Sequence, residues 1–317
     1  MKTRRAQVAS AIVEAGSDGV SGEQLAGHLG VSRVAVAKHV SALRAEGYEI
    51  AAVRGVGYRL DALPERLTPV EVERLLSDPF WVRVEGAEET GSTNDDCKAL
   101  ARAGEPEGVV VVAARQSAGR GRLGRSWLSP DGGAYVSTLL RPHLAPSEVS
   151  SLALACALGV AYGLESLGVP CELKWPNDVL IGGKKVAGIL LEMSAETDKV
   201  EWVVAGCGVN VRRDGDAYEG AAYVGDHTDA GPARVAAAVL DGLAEAYREY
   251  IGDGFPAMTR SYVSRHSLEG TEVVVRDAAG GVVASGMATG VDGHGRLLLR
   301  GPDGITPVVA GEVTLRS

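Results

Sequence analysis

Aromatic side chains are scarce in this 317-residue chain, at 5% of the total with only 2 phenylalanines. Ala, Val and Gly must therefore do most of the filling, which reflects a biased genome composition more than a special fold. Cysteine is scarce too. The 4 cysteines, Cys97, Cys156, Cys171 and Cys207, lie far apart, with no CxxC pair and no Cys/His cluster. That spacing excludes a disulfide frame and a zinc site, and it suits small buried thiols in a reducing compartment. No long apolar run follows the opening Met-Lys-Thr-Arg-Arg, so no signal peptide is expected. The most apolar stretch, residues 150–164, is shorter than the roughly 20 residues that cross a bilayer. A cytoplasmic protein with no membrane partner is the expectation. HExxH and GxSxG are both absent, which removes zinc proteases and serine hydrolases. Gly183-Lys184 lacks the spacing and hydroxyl of a Walker A loop, and Gly206-x-Gly208 lacks the third glycine of a dinucleotide fingerprint.

What is present is ordinary in bulk and uneven in arrangement. Apolar residues make up 45% and charged residues 23%, as in soluble globular proteins, and the length suits two or three domains. The net charge of −9 is split, with +2 on residues 1–62 and −11 on the remainder. Such asymmetry points to a head that can approach nucleic acid on a body that should not.

The head, 1–62, reads as three helices and a hairpin. Val8, Ile12 and Val13 give helical spacing over 3–15. Ser21 with Gln24 fits a capping box, and Gly30 stops that second helix. Ser32 caps a third helix over 33–46, whose Val36, Val40 and Leu43 face inward. Ser32, Arg33, Ala37, Lys38, Ser41 and Arg44 are left for the outer side, and strands 50–53 and 58–60 form a wing carrying Arg54. This is a winged helix-turn-helix, and those residues are its candidate DNA contacts; a small bundle with no ligand is the plainer alternative.

Residues 63–79, with Pro64, Pro69 and Pro79, read as a linker holding a polar-faced helix over 69–76. A body over 80–267 alternates strands (109–115, 134–140, 171–175, 186–193, 200–211) with helices (94–103, 147–167, 232–251). Gly182-Gly183 joins two of its strands as a hairpin, so a mixed or mostly antiparallel sheet with helices on it follows. The last segment, 268–317, is five short strands between turns, which suggests a small barrel.

The chemistry concentrates in residues 115–127, where Gly119, Gly121 and Gly124 alternate with Arg120, Arg122 and Arg125. Three guanidiniums so close repel one another unless an anion sits among them, and the glycines let the backbone move. A floppy cationic lid that orders on a phosphate-bearing molecule is the sharper reading; a solvated basic hairpin tip is the blander one. Three more clusters accompany it. Ser92-Thr93-Asn94 precedes a helix, Lys174-Trp175-Pro176-Asn177-Asp178 ends a strand ahead of Gly188 to Glu192, and Gly206-Cys207-Gly208-Val209-Asn210 ends another. A core lysine such as Lys174 needs either a ligand anion or an ion pair with Glu172 or Asp178, and the residues alone leave both open.

Taken together, SGEQLAGHLGVSR and RGVGYRL in the head, STN, GRGRLGRSW, KWPNDVL, KKVAGILLE and GVN in the body, and GVDGHGRLLL with GEVTLRS at the end resemble the biotin protein ligases of the bifunctional kind, which also repress a biotin operon. The resemblance covers the whole chain. It implies an α+β multidomain fold with a winged-helix head, a catalytic domain akin to class II aminoacyl-tRNA synthetases, and an SH3-like barrel. It implies biotin, ATP and Mg²⁺, a biotinyl-5′-AMP intermediate, a lysine on the biotin carrier domain of acetyl-CoA carboxylase as acceptor, operator DNA, and a homodimer promoted by the adenylate.

Carried onto this sequence, it implies that Ser92, Thr93, Asn94, Gln116 and the backbone of Arg120, Gly121 and Arg122 hold the biotin ureido ring, with Gly188, Ile189, Leu190 and Gly206 as the apolar wall. Lys174 would stand between carboxylate and α-phosphate, with Arg120 and Arg122 as its catalytic companions. Arg122, Arg125, Trp127, Asn177, Asn210 and Arg316 would serve the nucleotide, and no residue is assigned to metal. The chain departs at Leu123, where many relatives carry another arginine, and a less cationic loop implies weaker retention of the adenylate. A lipoate ligase would lack the head and the GRGR loop. A biotin sensor without catalysis would have no need of Lys174 and the arginines.

Overall fold

Thr3, Ser21 and Ser32 each precede a run with helical spacing, and each starts a helix in the computed structural model, which describes residues 2–214 and 220–315. Their hydroxyls accept backbone N–H bonds at the starts of α1 (Arg4–Ala15), α2 (Gly22–Leu29) and α3 (Arg33–Ala45). The Ser21/Gln24 capping box is formed, and Gly30 closes α2 in the left-handed conformation. Val8, Ile12, Leu25, Leu29, Val36, Val40 and Leu43 meet in one core, covered by the hairpin β1 (Glu49–Val53) and β2 (Gly57–Ala62).

The segment after the head is not the polar-faced linker its prolines predict. α4 (Pro69–Leu75) is buried on several sides: Val70 belongs to the head's core, while Leu67, Val72 and Leu76 belong to the body's. Its acidic residues are buried because the head supplies donors. Glu73 accepts from Thr3 N and Oγ1 at 2.6 and 2.7 Å, and Glu71 accepts from the Tyr48 hydroxyl and both arms of Arg74.

The body contains β3 (Arg83–Thr90), α5 (Thr93–Arg102), β4 (Val109–Gln116), β5 (Ala134–Leu140), α6 (Val149–Glu165), β6 (Glu172–Lys174), β7 (Asp178–Ile181), β8 (Lys184–Ala195), β9 (Val200–Val209) and α7 (Pro232–Val263). The sheet order is β3-β4-β5-β9-β8-β7-β6, with β3 parallel to β4 and every other pair antiparallel, so it is mixed as the sequence predicts. β3 goes unseen in the sequence because only Val84 is buried along it and half of its residues are charged. Val109 and Val111 of β4 face α5, and Val110 and Val112 face the larger core that holds α6 and α7.

α6 is buried almost all round, which is why it shows no amphipathic period. The span Pro146–Glu165 is in fact long and apolar enough to cross a membrane by composition, a point on which the shorter sequence estimate is corrected; 72% of its apolar window is buried inside the body. α6 and α7 approach closely because a side chain at Gly163 would strike the Ala238 carbonyl. α7 runs past its predicted end: Gly254, at φ +70°, breaks the turn and Pro256 starts it again. β10 (Glu272–Arg276), β11 (Val282–Val291), β12 (Leu297–Gly301), β13 (Gly304–Val308) and β14 (Glu312–Leu315) then form an antiparallel sheet in the order β13-β12-β11-β10-β14. The Trp175 indole donates to the Gly295 carbonyl at 3.0 Å and ties that sheet to the body.

His266, just after α7, is buried with neither ring nitrogen hydrogen-bonded among the described residues. Burial pushes its pKa from 6.5 down to about 4. Between those values the unfolded chain binds a proton that the folded chain refuses, so this contribution is complete above the unfolded pKa and declines as pH falls toward 4. The full effect is about 3 kcal/mol. Melting temperature should drop between pH 7 and 4.5, and His266→Phe should flatten that drop; parallel curves for the two proteins would refute the assignment.

Candidate active site

The site begins where β3 hands over to α5. Thr93 and Asn94 in the first turn of α5 are buried, Asn94 at 4% exposure, and their polar atoms meet partners from three strands. Gln116 Oε1 accepts from Thr93 N at 2.8 Å and lies 3.0 Å from Thr93 Oγ1, while its Nε2 donates to Ser129 Oγ at 2.9 Å. Ser137 Oγ donates to Asn94 Oδ1 at 2.6 Å and lies 2.8 Å from Thr93 Oγ1. Asn94 Nδ2 donates to Glu192 Oε2 at 2.8 Å. This end of the cavity offers hydrogen-bonding groups of no net charge. Gly206 closes its floor, because a methyl carbon there would overlap Asn94 Oδ1.

The Gly/Arg loop forms the roof, and it is less floppy than its glycines predict. Trp127 N donates to Gly119 O at 2.9 Å and Gly121 N to Arg125 O at 2.7 Å, so the loop is a small hairpin turned at Leu123 and Gly124. Leu123 sits at φ +56° with its side chain half exposed. Nor do the three arginines wait together for an anion. Arg120 grips Asp95 through both terminal nitrogens, at 2.6 and 2.7 Å, and Arg125 meets Glu312 from the C-terminal sheet. Arg122 alone has no carboxylate partner among the described residues; its nearest contact is the Asn177 carbonyl at 3.3 Å. Burial lowers its pKa, so the fold has placed a partly desolvated cation against the cavity.

Lys174 also lines this cavity without an ion pair among the described residues, which sets aside the expected alternatives of Glu172 and Asp178. Asp178 instead holds Lys185, at 2.6 Å. Sequence reasoning missed Lys185 because it sits beside a glycine hairpin and looks like a solvated turn residue. In the fold its ammonium lies 5.0 Å from the centre of the Trp127 ring, and it lines both this cavity and an adjoining one. Trp127 lies against Gly188 and Gly208, where side chains would collide with its ring.

Every residue expected for biotin, Ser92, Thr93, Asn94, Gln116, Arg120, Gly121, Arg122, Lys174, Gly188, Ile189 and Gly206, lines the first cavity together with Leu190, Arg125, Trp127 and Asn177. Asn177 is engaged structurally: its Nδ2 donates to Ile189 O at 2.7 Å. Asn210 does not reach the first cavity. It lines the adjoining one with Tyr135, Arg212 and Tyr223. Arg316 lies outside the described residues.

On the head, Arg33, Ala37, Lys38 and Ser41 are exposed along α3, Ser32 caps it, and Arg54 stands at the wing turn. Arg44 is exposed as well, and its Nε and Nη2 both donate to the Ile50 carbonyl, at 2.9 and 2.7 Å, which pins α3 to β1. Val34, 68% exposed beside Arg33, belongs to this surface and was not foreseen.

Residues 4–59 match the HTH domain family, residues 87–210 the Biotin/lipoate A/B protein ligase family, and residues 270–316 the Biotin protein ligase C terminal domain. The chain is 35% identical to the bifunctional ligase/repressor BirA of Bacillus spizizenii, over 99% of each. The chain belongs to the bifunctional biotin ligase/repressor family. This ligase is also 31% identical to the BirA of Escherichia coli, over 94% of its own length and 93% of that protein's. Among solved structures it is similar to the biotin protein ligase from Aquifex aeolicus in complex with biotin and ATP, with a TM-score of 0.63, 31% identity, and coverage of 74% of the ligase and 98% of that chain.

Gly206→Ala in the ligase should displace Asn94 and break its bond to Ser137, at a cost of about 1–3 kcal/mol. A thermal melt checks this, and an unchanged melting temperature would show that the floor can yield.

Proposed function

We propose that the ligase joins biotin to ATP as biotinyl-5′-AMP and then passes biotin to a lysine on the biotin carrier domain of acetyl-CoA carboxylase. One observation carries this reading: an uncharged hydrogen-bonding end and a partly desolvated, carboxylate-free Arg122 share a single cavity. Biotin has the matching parts, a neutral urea at one end and a carboxylate at the other. Ser92, Thr93, Asn94 and Gln116 suit the urea, while Gly188, Ile189, Leu190 and Gly206 leave room for the ring and chain. A site built on such hydrogen bonds rejects analogues lacking them by roughly 10⁴-fold.

In the first step a carboxylate oxygen of biotin attacks the α-phosphorus of ATP and pyrophosphate leaves. Two anions must meet, and cations at their junction lower the barrier. Lys174, which lines the first cavity with no carboxylate partner among the described residues, suits that place together with Arg122; Lys185, held by Asp178, adds positive charge where the two cavities join. Trp127 and Asn210 would flank the nucleotide in the second. Mg²⁺ would enter with the ATP phosphates and offset their charge, since no cluster of three His, Cys, Asp or Glu exists among the described residues to hold a resident ion. In the second step the unprotonated amine of the carrier lysine attacks the acyl carbon, AMP leaves with the bonding electrons, and the amine loses a proton. The arginine loop would keep water from the mixed anhydride until then.

The head would give the same protein a second output, repression at a biotin operon. Arg33, Ala37, Lys38, Ser41 and the wing Arg54 would face DNA, with the start of α3 reading bases. A homodimer promoted by the adenylate would span a palindromic operator. The outer half of β8, residues 190–195, supports this, because β7 pairs only with residues 184–188 and leaves that edge open beside the cavity. Buried thiols and a buried apolar helix fit a cytoplasmic protein.

Biotin transfer to a purified carrier domain, read by streptavidin blot, tests the enzyme. Lys174→Met should slow pyrophosphate release by about 10²–10³-fold and Lys185→Met by less. The reverse order would move the bridging role to Lys185, and absence of transfer by the wild type, with biotin still bound, would leave a sensor in place of an enzyme. Sedimentation should show more dimer with biotinyl-5′-AMP than without, at a coupling of about 1–3 kcal/mol; an identical distribution would remove the regulatory link.

A further inference from the structure

Glu192 on β8 stands partly buried behind the uncharged end of the cavity, and no step above uses it. Its Oε1 accepts from Lys98 Nζ at 2.6 Å, and its Oε2 accepts from Asn94 Nδ2 at 2.8 Å and Arg120 Nη2 at 3.3 Å. Asp95 closes a ring from the other side, gripping Arg120 at 2.6 and 2.7 Å and Lys98 at 2.9 Å. Two carboxylates and two cations thus cancel within one cluster. Burial pushes the Glu192 carboxyl toward protonation, but hydrogen bonds from Lys98 and Asn94 outweigh it and keep the group ionised. The grip of Arg120 likewise holds Asp95 far below the usual carboxylate range.

We infer that Glu192 is a positioning residue that divides the cavity, fixing the Asn94 amide and holding Arg120 away from the anion-binding end. This rests on the proposed reading of that end as the biotin urea site. The amide argument is geometric. Asn94 Oδ1 accepts from Ser137, while Nδ2 faces two acceptors, the Glu192 carboxylate and the Leu190 carbonyl at 3.4 Å. A flipped amide would set oxygen against both of them. The charge argument is independent. With Glu192 neutral, Lys98 and Arg120 would share one carboxylate, and a net positive charge would stand beside a site for an uncharged ring. Arg120, held by two carboxylates, is therefore an anchor and not a phosphate ligand, which leaves the anion first to Arg122 and Lys174, the cations of the cavity with no ion pair among the described residues.

Separate calorimetric titrations of biotin and of ATP into the full chain test this. Glu192→Gln keeps the shape but not the charge, and its single carbonyl oxygen can replace only one of the two carboxylate oxygens that accept from Asn94 and Lys98. Biotin should bind about tenfold to a hundredfold more weakly, the effect of losing a charge-assisted contact, with ATP binding unchanged or tighter. Asp95→Asn, at a half-exposed position, should shift biotin in the same direction by about threefold to tenfold and again spare ATP. If Glu192→Gln does not fold, Asp95→Asn decides alone. Unchanged biotin affinity in a variant that melts normally, or a loss of ATP affinity exceeding that of biotin, would overturn the inference. Wild-type protein that binds no biotin would defeat the proposed function itself.

Discussion

Asn94 is buried in the first turn of a helix, and a buried amide must find a partner for each of its polar atoms or lose several kcal/mol. Here Ser137 from β5 takes the oxygen and Glu192 from β8 takes the nitrogen. That requirement fixes where α5 starts, how closely β9 may approach at Gly206, and which way the neighbouring threonine and glutamine face. It also brings a carboxylate into the interior, and Lys98 and Arg120 follow to neutralise it. The uncharged end of the cavity and the first half of the loop are thus consequences of one buried side chain.

Legibility in the sequence followed local signals. Helix caps at Ser21 and Ser32 and the Gly182-Gly183 turn act over four residues or fewer, so their elements were predictable to within a few positions. β3 was not, because an edge strand needs few apolar residues and its regularity comes from pairing with β4. The residues lining the cavity were recognisable as motifs, yet motifs do not say which charge meets which. Arg120 and Arg122 are two positions apart and look alike on paper; one is locked between Asp95 and Glu192 while the other makes no ion pair among the described residues. Asp95 alone could have hinted at this, as an acid near the start of a helix facing an arginine-rich loop. The pairing of Lys185 with Asp178 across the β7–β8 hairpin and the bonds of Arg44 to the Ile50 carbonyl were equally invisible on paper, since a charged side chain in sequence does not name its partner.

The head is joined to the body through buried chemistry. α4 gives Val70 to one core and Val72 to the other, and among the described residues its two carboxylates accept from the head or from Arg74. Turning the head relative to α4 would take Thr3 from Glu73 and Tyr48 from Glu71, which is costly for carboxylates already out of water. The arrangement therefore favours a fixed relation between the DNA-facing helix and the cavity, and any ligand-dependent change in DNA binding is better sought between copies of the chain than within one copy.

Charge in the loop obeys the same economy. Three uncompensated guanidiniums on a nine-residue hairpin would repel one another across a few ångströms, and such a hairpin would not keep its backbone bonds. Matching Arg120 with Asp95 and Arg125 with Glu312 removes most of that repulsion and recruits the C-terminal sheet to hold the second half of the loop. What remains is one cation, Arg122, desolvated by the same closure and turned toward the cavity. Residues 63–317, with a net charge of −11, can in this way leave a cation facing the cavity, because the local field depends on the few charges left unpaired nearby and hardly on the total.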